Sequence, residues 1–124
     1  GIGTMARVLN FQGVRYEECT DQYLEKVPRT ETVERTVSDL GLGISGDEAA
    51  QSIVHFVGRN GPSRGIQIVR HLSFYREDNG VKNARIVNIV RYACFYYNLL
   101  YFKKDPSKRQ SAALFALNKD LPNS

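Results

Sequence analysis

The chain has 124 residues, of which 42% are hydrophobic and 24% are charged. A chain of this length buries roughly two-thirds of its unfolded surface, so it can form one core without a metal or a disulfide scaffold. The composition excludes a disordered chain, and two cysteines, Cys19 and Cys94, are too few for a disulfide framework. We expect a single helical domain over residues 5–124, with residues 1–4 as an expression-vector remnant.

Charge is divided unevenly along the chain, although the net charge is only +4. Residues 1–62 contain six Lys/Arg and nine Asp/Glu, a balance of −3. Residues 63–124 contain eleven Lys/Arg and four Asp/Glu, a balance of +7. A basic half favours an acidic partner such as nucleic acid, although the two halves can also neutralise each other in the fold. No secretory signal is visible after Met5, so we expect a cytoplasmic or nuclear protein.

The N-terminal stretch RVLNFQGVRYEE, residues 7–18, is rich in strand-forming residues and contains a turn signal at Gln12-Gly13. It predicts either an extended arm or a small β-hairpin. The sequence after it is helical in pattern.

Two helices are predicted in the acidic half. Thr30 can cap the first, in which apolar residues recur at helical spacing until Gly41. Ser45 and Glu48 have the spacing of a capping box, which predicts the start of the second. This second helix runs to an Asn-Gly stop at residues 60–61.

Three further helices are predicted in the basic half: a helix over residues 63–78, a long helix over residues 81–105 that ends before Pro106, and a short helix over residues 107–119. The loops between them are short, which favours compact packing. The predicted fold is therefore all-α, a bundle of about five helices with the N-terminal arm or hairpin.

The long predicted helix is unusually aromatic, since residues 90–104, VRYACFYYNLLYFKK, hold six of the thirteen aromatic residues. Its apolar run Ala93–Tyr97 is far shorter than the roughly twenty apolar residues of a membrane span, so we expect no membrane segment. Helical spacing divides the side chains of this helix into two stripes. One stripe faces the core, and the other faces outward. The outer stripe interleaves cations, amides and rings, and basic residues continue it: Arg85, Asn88, Arg91, Tyr92, Phe95, Asn98, Phe102, Lys103, Lys104, Lys108 and Arg109.

Such a stripe suits nucleic acid, because Lys and Arg neutralise phosphates while aromatic rings stack on unpaired bases. We expect a non-enzymatic nucleic-acid-binding module that prefers RNA or single strands, as a subunit of a ribonucleoprotein assembly. The predicted contacts are Arg64, Arg70, Arg85, Arg91, Lys103, Lys104, Lys108 and Arg109, with Tyr92 and Phe95 as stacking residues. The alternative is a protein-interaction or assembly subunit whose aromatic helix forms a homo- or hetero-oligomer interface.

Signatures of catalysis and of cofactor binding are missing from the sequence. The two histidines, His55 and His71, have no Cys or carboxylate at metal-ligand spacing, so we expect no metal site. The glycine-rich stretch GLGISGDE, residues 41–48, lacks the Gly-Lys-Ser/Thr ending of a phosphate-binding loop. These observations predict a protein that is not an enzyme and holds no cofactor.

Overall fold

The computed structural model describes residues 7–19, 21–72 and 80–122, with the backbone alone at 21–22 and 80–85. Its elements in chain order are β1 (Val8–Phe11), β2 (Val14–Glu18), α1 (Asp21–Leu24), α2 (Thr30–Leu40), α3 (Gly46–Asn60), α4 (Gly65–Leu72), α5 (Gly80–Tyr96), β3 (Leu100–Lys103), β4 (Ala113–Ala116) and a 3-10 helix, Asn118–Asp120. The described part of the chain therefore combines helices with a four-stranded antiparallel sheet. The predicted all-α bundle of about five helices is wrong.

The N-terminal segment is a hairpin rather than an extended arm. β1 pairs with β2 in antiparallel register, with Phe11 opposite Val14. Gln12 and Gly13 between them have φ of 52° and 77°, as in the type I′ turns whose twist matches that of antiparallel strands. The hairpin is one edge of a larger sheet, because β2 also pairs with β3, and β3 with β4, in the order β1-β2-β3-β4.

The aromatic segment changes from helix to strand soon after Tyr96. Asn98 adopts a left-handed conformation with φ of 56°, which asparagine tolerates better than most L-residues. The N–H groups of Tyr97 and Leu99 both donate to the carbonyl of Ala93, at 2.9 and 3.3 Å, and this closes the helix end. The single long helix predicted for this segment is therefore wrong.

The short helix predicted over residues 107–119 is also wrong, because its apolar run forms β4. This strand pairs with β3 along its whole length. On its other edge, Ser63 and Phe115 exchange two N–H to carbonyl hydrogen bonds of 2.8 Å. Periodicity cannot show whether an apolar run of only four residues is a strand or a helix. Here the pairing with β3 and with Ser63 makes the run a strand.

Two cores lie on opposite faces of the sheet. The larger core joins the helices to one face and includes Ile53, Ile89, Tyr101 and Phe115, all buried. The sheet curls around the smaller core on its other face, which contains Leu9, Tyr16, Phe102, Leu114 and Ala116. Neighbouring residues of β3 contribute to different cores because successive side chains of a strand point to opposite faces.

Local capping chemistry explains the helix ends of the acidic half. The N–H of Glu48 donates to Ser45 Oγ at 3.1 Å, as predicted for the start of α3, while the Glu48 carboxylate lies 3.2 Å from the same hydroxyl. α2 ends at Gly41, also as predicted, and Gly41 adopts the left-handed conformation. The predicted cap at Thr30 is wrong, since Arg29 occupies the N-cap and makes no side-chain capping bond.

Substitutions of Asn98 test the end of α5. Asn98→Gly should leave the free energy of unfolding nearly unchanged, because glycine adopts positive φ freely. Asn98→Val should lower it by about 1–2 kcal/mol, because a side chain branched at Cβ is strongly disfavoured in the left-handed conformation that asparagine tolerates. In a continuous helix the order would be reversed, since glycine is the poorer helix former. Urea unfolding compares the variants, and a glycine variant less stable than the valine variant would contradict the chain reversal.

Candidate functional site

The loop between β3 and β4, residues 104–112, carries three cations and one carboxylate, and we call it the basic loop. Lys104, Lys108 and Arg109 are all exposed in it. At its base, the N–H of Lys104 donates to the carbonyl of Ala112 at 2.8 Å, which extends the strand pairing by one residue.

A turn at Asp105 orders the middle of the basic loop. Its carboxylate accepts hydrogen bonds from the hydroxyl and the N–H of Ser107, at 2.6 and 3.1 Å, and these bonds lower the pKa of Asp105. The Asp105 N–H donates to Ser111 Oγ at 2.8 Å, and its carbonyl accepts from the N–H of Lys108 at 3.1 Å. The stretch Asp-Pro-Ser, interpreted above only as a helix stop, is also a turn signal.

Lys103 is buried beneath the basic loop, with 5% of its surface exposed. Its ammonium donates to the carbonyls of Lys108 and Arg109, each at 3.3 Å, and lies 6.0 Å from the centre of the Tyr101 ring. The position expected from the sequence, on an outer stripe and in contact with phosphate, is therefore wrong. The charge of Lys103 instead holds the backbone of the two residues whose side chains are exposed.

The remaining predicted cations lie in different places. Arg64 is exposed at the start of α4, next to Ser63. Because the bridge from Ser63 to Phe115 is antiparallel, the chain from Ser63 to Arg64 runs towards the end of β4 that carries the basic loop. Arg70 is exposed in the last turn of α4. The side chain of Arg85 lies outside the described residues.

The predicted outer stripe does not form. Phe102 is fully buried in the smaller core, and Tyr92 is only 9% exposed. Arg91 is half-buried, and its Nε has no hydrogen-bond partner among the described residues. Phe95 is 51% exposed, but it lies near the start of β3, whereas the basic loop follows the end of that strand. The exposed cations of the basic loop are therefore separated from the exposed Phe95 ring.

The end of α5 is fixed to the start of α3 through Asp47. Its carboxylate accepts hydrogen bonds from the hydroxyls of Tyr97 and Tyr92, at 2.5 and 3.1 Å, and from the Gln51 amide at 2.6 Å. The Tyr97 bond is the largest of the contacts that lower the pKa of Asp47. Burial, together with the Asp47 bond, raises the pKa of Tyr92 to about 12. No local pattern predicts this network, since its tyrosines are 45 and 50 residues from Asp47.

The side chains that could act as nucleophiles or metal ligands in the described residues make packing contacts and hydrogen bonds within the fold. His71 Nε2 lies 2.9 Å from Ser52 Oγ, and its ring stacks on Phe56 with centroids 4.5 Å apart. Ser52 sits in the middle of α3, where helical hydrogen bonds occupy the backbone N–H groups that an oxyanion hole needs. Burial raises the pKa of the Cys94 thiol to about 12. The described residues contain no group of three or more His, Cys, Asp or Glu that could hold a metal ion.

Comparison with protein-family models, with curated proteins and with solved structures found no match to this chain. Among the described helices, none has the length and apolar character needed to cross a bilayer. The functional proposal therefore depends on the geometry of the basic loop and of the aromatic end of α5.

Replacing Lys103 tests its role as the anchor of the basic loop. Lys103→Met keeps a long apolar stem and removes the ammonium. We expect amide hydrogens of residues 104–112 to exchange with solvent about tenfold faster or more, since a hydrogen bond to a charged group contributes about 1.5–3 kcal/mol and 1.4 kcal/mol is a factor of ten. Lys104→Met is the matched control, because that side chain is exposed. Equal exchange in both variants would refute the anchor.

The pH dependence of stability tests the Asp47 network. The folded-state pKa of Asp47 is lowered, so its contribution is present above the unfolded pKa of about 3.9 and is lost as the pH falls through the folded pKa. Tyr97→Phe should therefore be less stable than wild type at neutral pH, with a difference that shrinks in acid. Urea unfolding at several pH values measures this, with Tyr96→Phe as the control. A difference independent of pH in the acid range would contradict the assignment.

Proposed function

We propose that the protein is a non-enzymatic nucleic-acid-binding module that binds phosphates through the basic loop. The observation that supports this proposal is a loop with a hydrogen-bonded backbone that exposes Lys104, Lys108 and Arg109. The backbone from Ser63 to Arg64 runs towards the same end of β4. Each cation that neutralises a phosphate releases condensed counterions, which is the main source of affinity in such contacts.

The anchored backbone favours binding because less conformational freedom is lost when the ligand docks. The carboxylate of Asp105 accepts hydrogen bonds from Ser107 and lies 3.9 Å from the Lys108 ammonium, so it offsets the charge of one cation in part. The loop still carries three cations, Lys104, Lys108 and Arg109, against this single carboxylate.

Single strands, and RNA in particular, are the proposed ligands. The basic loop and Phe95 lie near opposite ends of β3, a strand of four residues, which corresponds to about 13 Å of strand rise. A flexible single strand can place phosphates on the loop and an unpaired base on the exposed Phe95 ring, whereas the bases of a duplex are already stacked and paired.

The proposed location is the cytoplasm or the nucleus. Two cysteines among the described residues are free thiols, which agrees with the reducing conditions of these compartments.

Fluorescence anisotropy with labelled single-stranded RNA, single-stranded DNA and duplexes, at several salt concentrations, tests the proposal. The triple variant Lys104→Ala, Lys108→Ala, Arg109→Ala should bind single strands more weakly. Its slope of log K against log salt should be smaller by about 2, since each lost phosphate contact contributes about 0.7.

The matched control removes three exposed cations elsewhere, Lys26→Ala, Arg29→Ala and Arg35→Ala, and changes the net charge equally. The control should keep most of the wild-type slope. Equal losses in the two triple variants would show an effect of net charge alone, and absence of micromolar binding at low salt would overturn the proposal.

A second candidate function is that of an assembly subunit, as a homo-oligomer or with a protein partner. It is favoured by exposed apolar side chains near the end of α5: Phe95 and Tyr96 are 51% and 53% exposed, and Leu24 of α1 is 38% exposed. Aromatic residues grouped at a surface are enriched in protein interfaces. We call the surface formed by Phe95 and Tyr96, whose ring centroids lie 4.9 Å apart, the aromatic corner.

A further inference from the structure

The half-exposed carboxylate of Asp47 keeps a negative charge that no described cation offsets. Its three hydrogen-bond donors, Tyr92, Tyr97 and Gln51, are all neutral. The Tyr97 bond is the largest of the contacts that lower the pKa of Asp47, and no cation is among them. Asp47 is therefore ionised at neutral pH, and it forms no ion pair within the described residues.

Two oxygen atoms at this carboxylate have room for a further donor. Asp47 Oδ1 accepts from both tyrosine hydroxyls, whereas Oδ2 accepts only from Gln51 Nε2, at 2.6 Å. A carboxylate has about four lone-pair sites on its two oxygens. The Gln51 amide also donates to the Tyr97 hydroxyl, at 3.2 Å, so only its Oε1 is left to meet a ligand, on an exposed side chain. Oδ2 of Asp47 and Oε1 of Gln51 therefore form an adjacent pair of acceptors.

The exposed ring of Tyr96 stands one ring away from these acceptors. It packs on Tyr92, with centroids 4.5 Å apart and planes tilted by 37°, and the Tyr92 hydroxyl bonds to Asp47. Burial and Asp47 raise the pKa of Tyr92 most, and the neighbouring Tyr97 and Tyr96 raise it further. Tyr96 is still 53% exposed, so part of its ring is available to a ligand.

We propose that this site binds the guanidinium group of an arginine side chain from a protein partner. A guanidinium is planar and always charged, presents a rigid fork of N–H donors and stacks on aromatic rings. Its edge can donate to Asp47 Oδ2 and Gln51 Oε1 while its face lies on the Tyr96 ring. This inference rests on the second candidate function, for which it names the chemistry of the partner.

The charge of the site favours arginine over other ligands. An ionised Asp47 repels the phosphates of a nucleic acid, and the cations of the basic loop follow the far end of β3. A lysine ammonium can pair with the carboxylate, but it has no planar face to stack on a ring. Asp47 also belongs to the acidic half of the chain, residues 1–62, whose balance is −3. Complementary charge of this kind steers a basic partner to the surface.

An NMR titration of the ¹⁵N-labelled protein with blocked tripeptides tests the site. The peptides are Gly-Arg-Gly, Gly-Lys-Gly and Gly-citrulline-Gly, in which citrulline is the neutral isostere of arginine. The arginine peptide should shift the amide signals of Asp47, Gln51 and Tyr96 in a saturable way. The lysine peptide should bind more weakly, and the citrulline peptide about tenfold more weakly or less, because the charge-assisted hydrogen bonds are lost. Absence of saturable shifts with the arginine peptide overturns the inference, and so does equal binding of the citrulline peptide.

Variants separate the two halves of the site. Asp47→Asn should weaken binding of the arginine peptide about tenfold. Glu31→Gln, which also removes one exposed carboxylate, is the matched control and should bind as wild type does. Tyr96→Leu should weaken binding, whereas Tyr96→Phe keeps the ring and should not. These two variants change an exposed side chain, so they remain informative if Asp47→Asn does not fold. Equal binding by Tyr96→Leu and Tyr96→Phe overturns the stacking.

Two further measurements on the same samples separate this inference from the proposed functions. Single-stranded RNA that shifts the Asp47 and Gln51 signals, where the arginine peptide does not, would assign the site to nucleic acid and overturn the inference. RNA shifts confined to residues 104–109 would report the basic loop alone and agree with it. Sedimentation equilibrium measures assembly of the chain. Assembly without arginine binding would overturn the inference and leave the second candidate function standing.

Discussion

The position of β3 constrains the rest of the structure, because this strand has a partner on each edge and a core on each face. Tyr101 packs against Tyr23, with ring centroids 4.3 Å apart, in the larger core. Phe102, the next residue, is fully buried in the smaller one. A shift of one residue in register would exchange the two side chains between the cores. The register of β3 also determines where the chain enters and leaves the strand. It therefore determines the positions of the aromatic corner, which precedes β3, and of the basic loop, which follows it.

The buried Lys103 follows from the same strand geometry. Alternation along β3 places it on the face of Tyr101, where its stem can pack but its ammonium has few partners. A buried charge without hydrogen bonds is strongly unfavourable, and the carbonyls of Lys108 and Arg109 satisfy it. The need to stabilise one internal cation therefore orders the loop that exposes the others. Local order in this loop is a consequence of folding and at the same time the basis of the proposed phosphate site.

Local chemistry made part of this fold predictable from the sequence. The turn at Gln12-Gly13 and the cap at Ser45 depend on neighbouring residues alone, and both have the structure expected. The runs LYFK and ALFA are too short for their period to separate strand from helix, so only their pairing with distant strands decides. The nine residues between the two runs exceed the spacing of a typical hairpin, so the Asp-Pro-Ser turn alone does not predict their pairing.

The site was harder to predict than the fold for a physical reason. Lysine is rarely buried, so nothing in the residues themselves distinguishes Lys103 from Lys104, although one lies inside the protein and the other in solvent. The difference arises because Lys103 is the last residue of β3 and lies on the face of the larger core, whereas Lys104 is the first residue of the basic loop. Once the strand replaces the helix, the continuous stripe of cations and rings becomes two surfaces near the two ends of β3. The two proposed functions, nucleic-acid binding and self-association, would then use different residues. In the sequence both proposals depend on one helix face, whereas in the fold they concern separate surfaces.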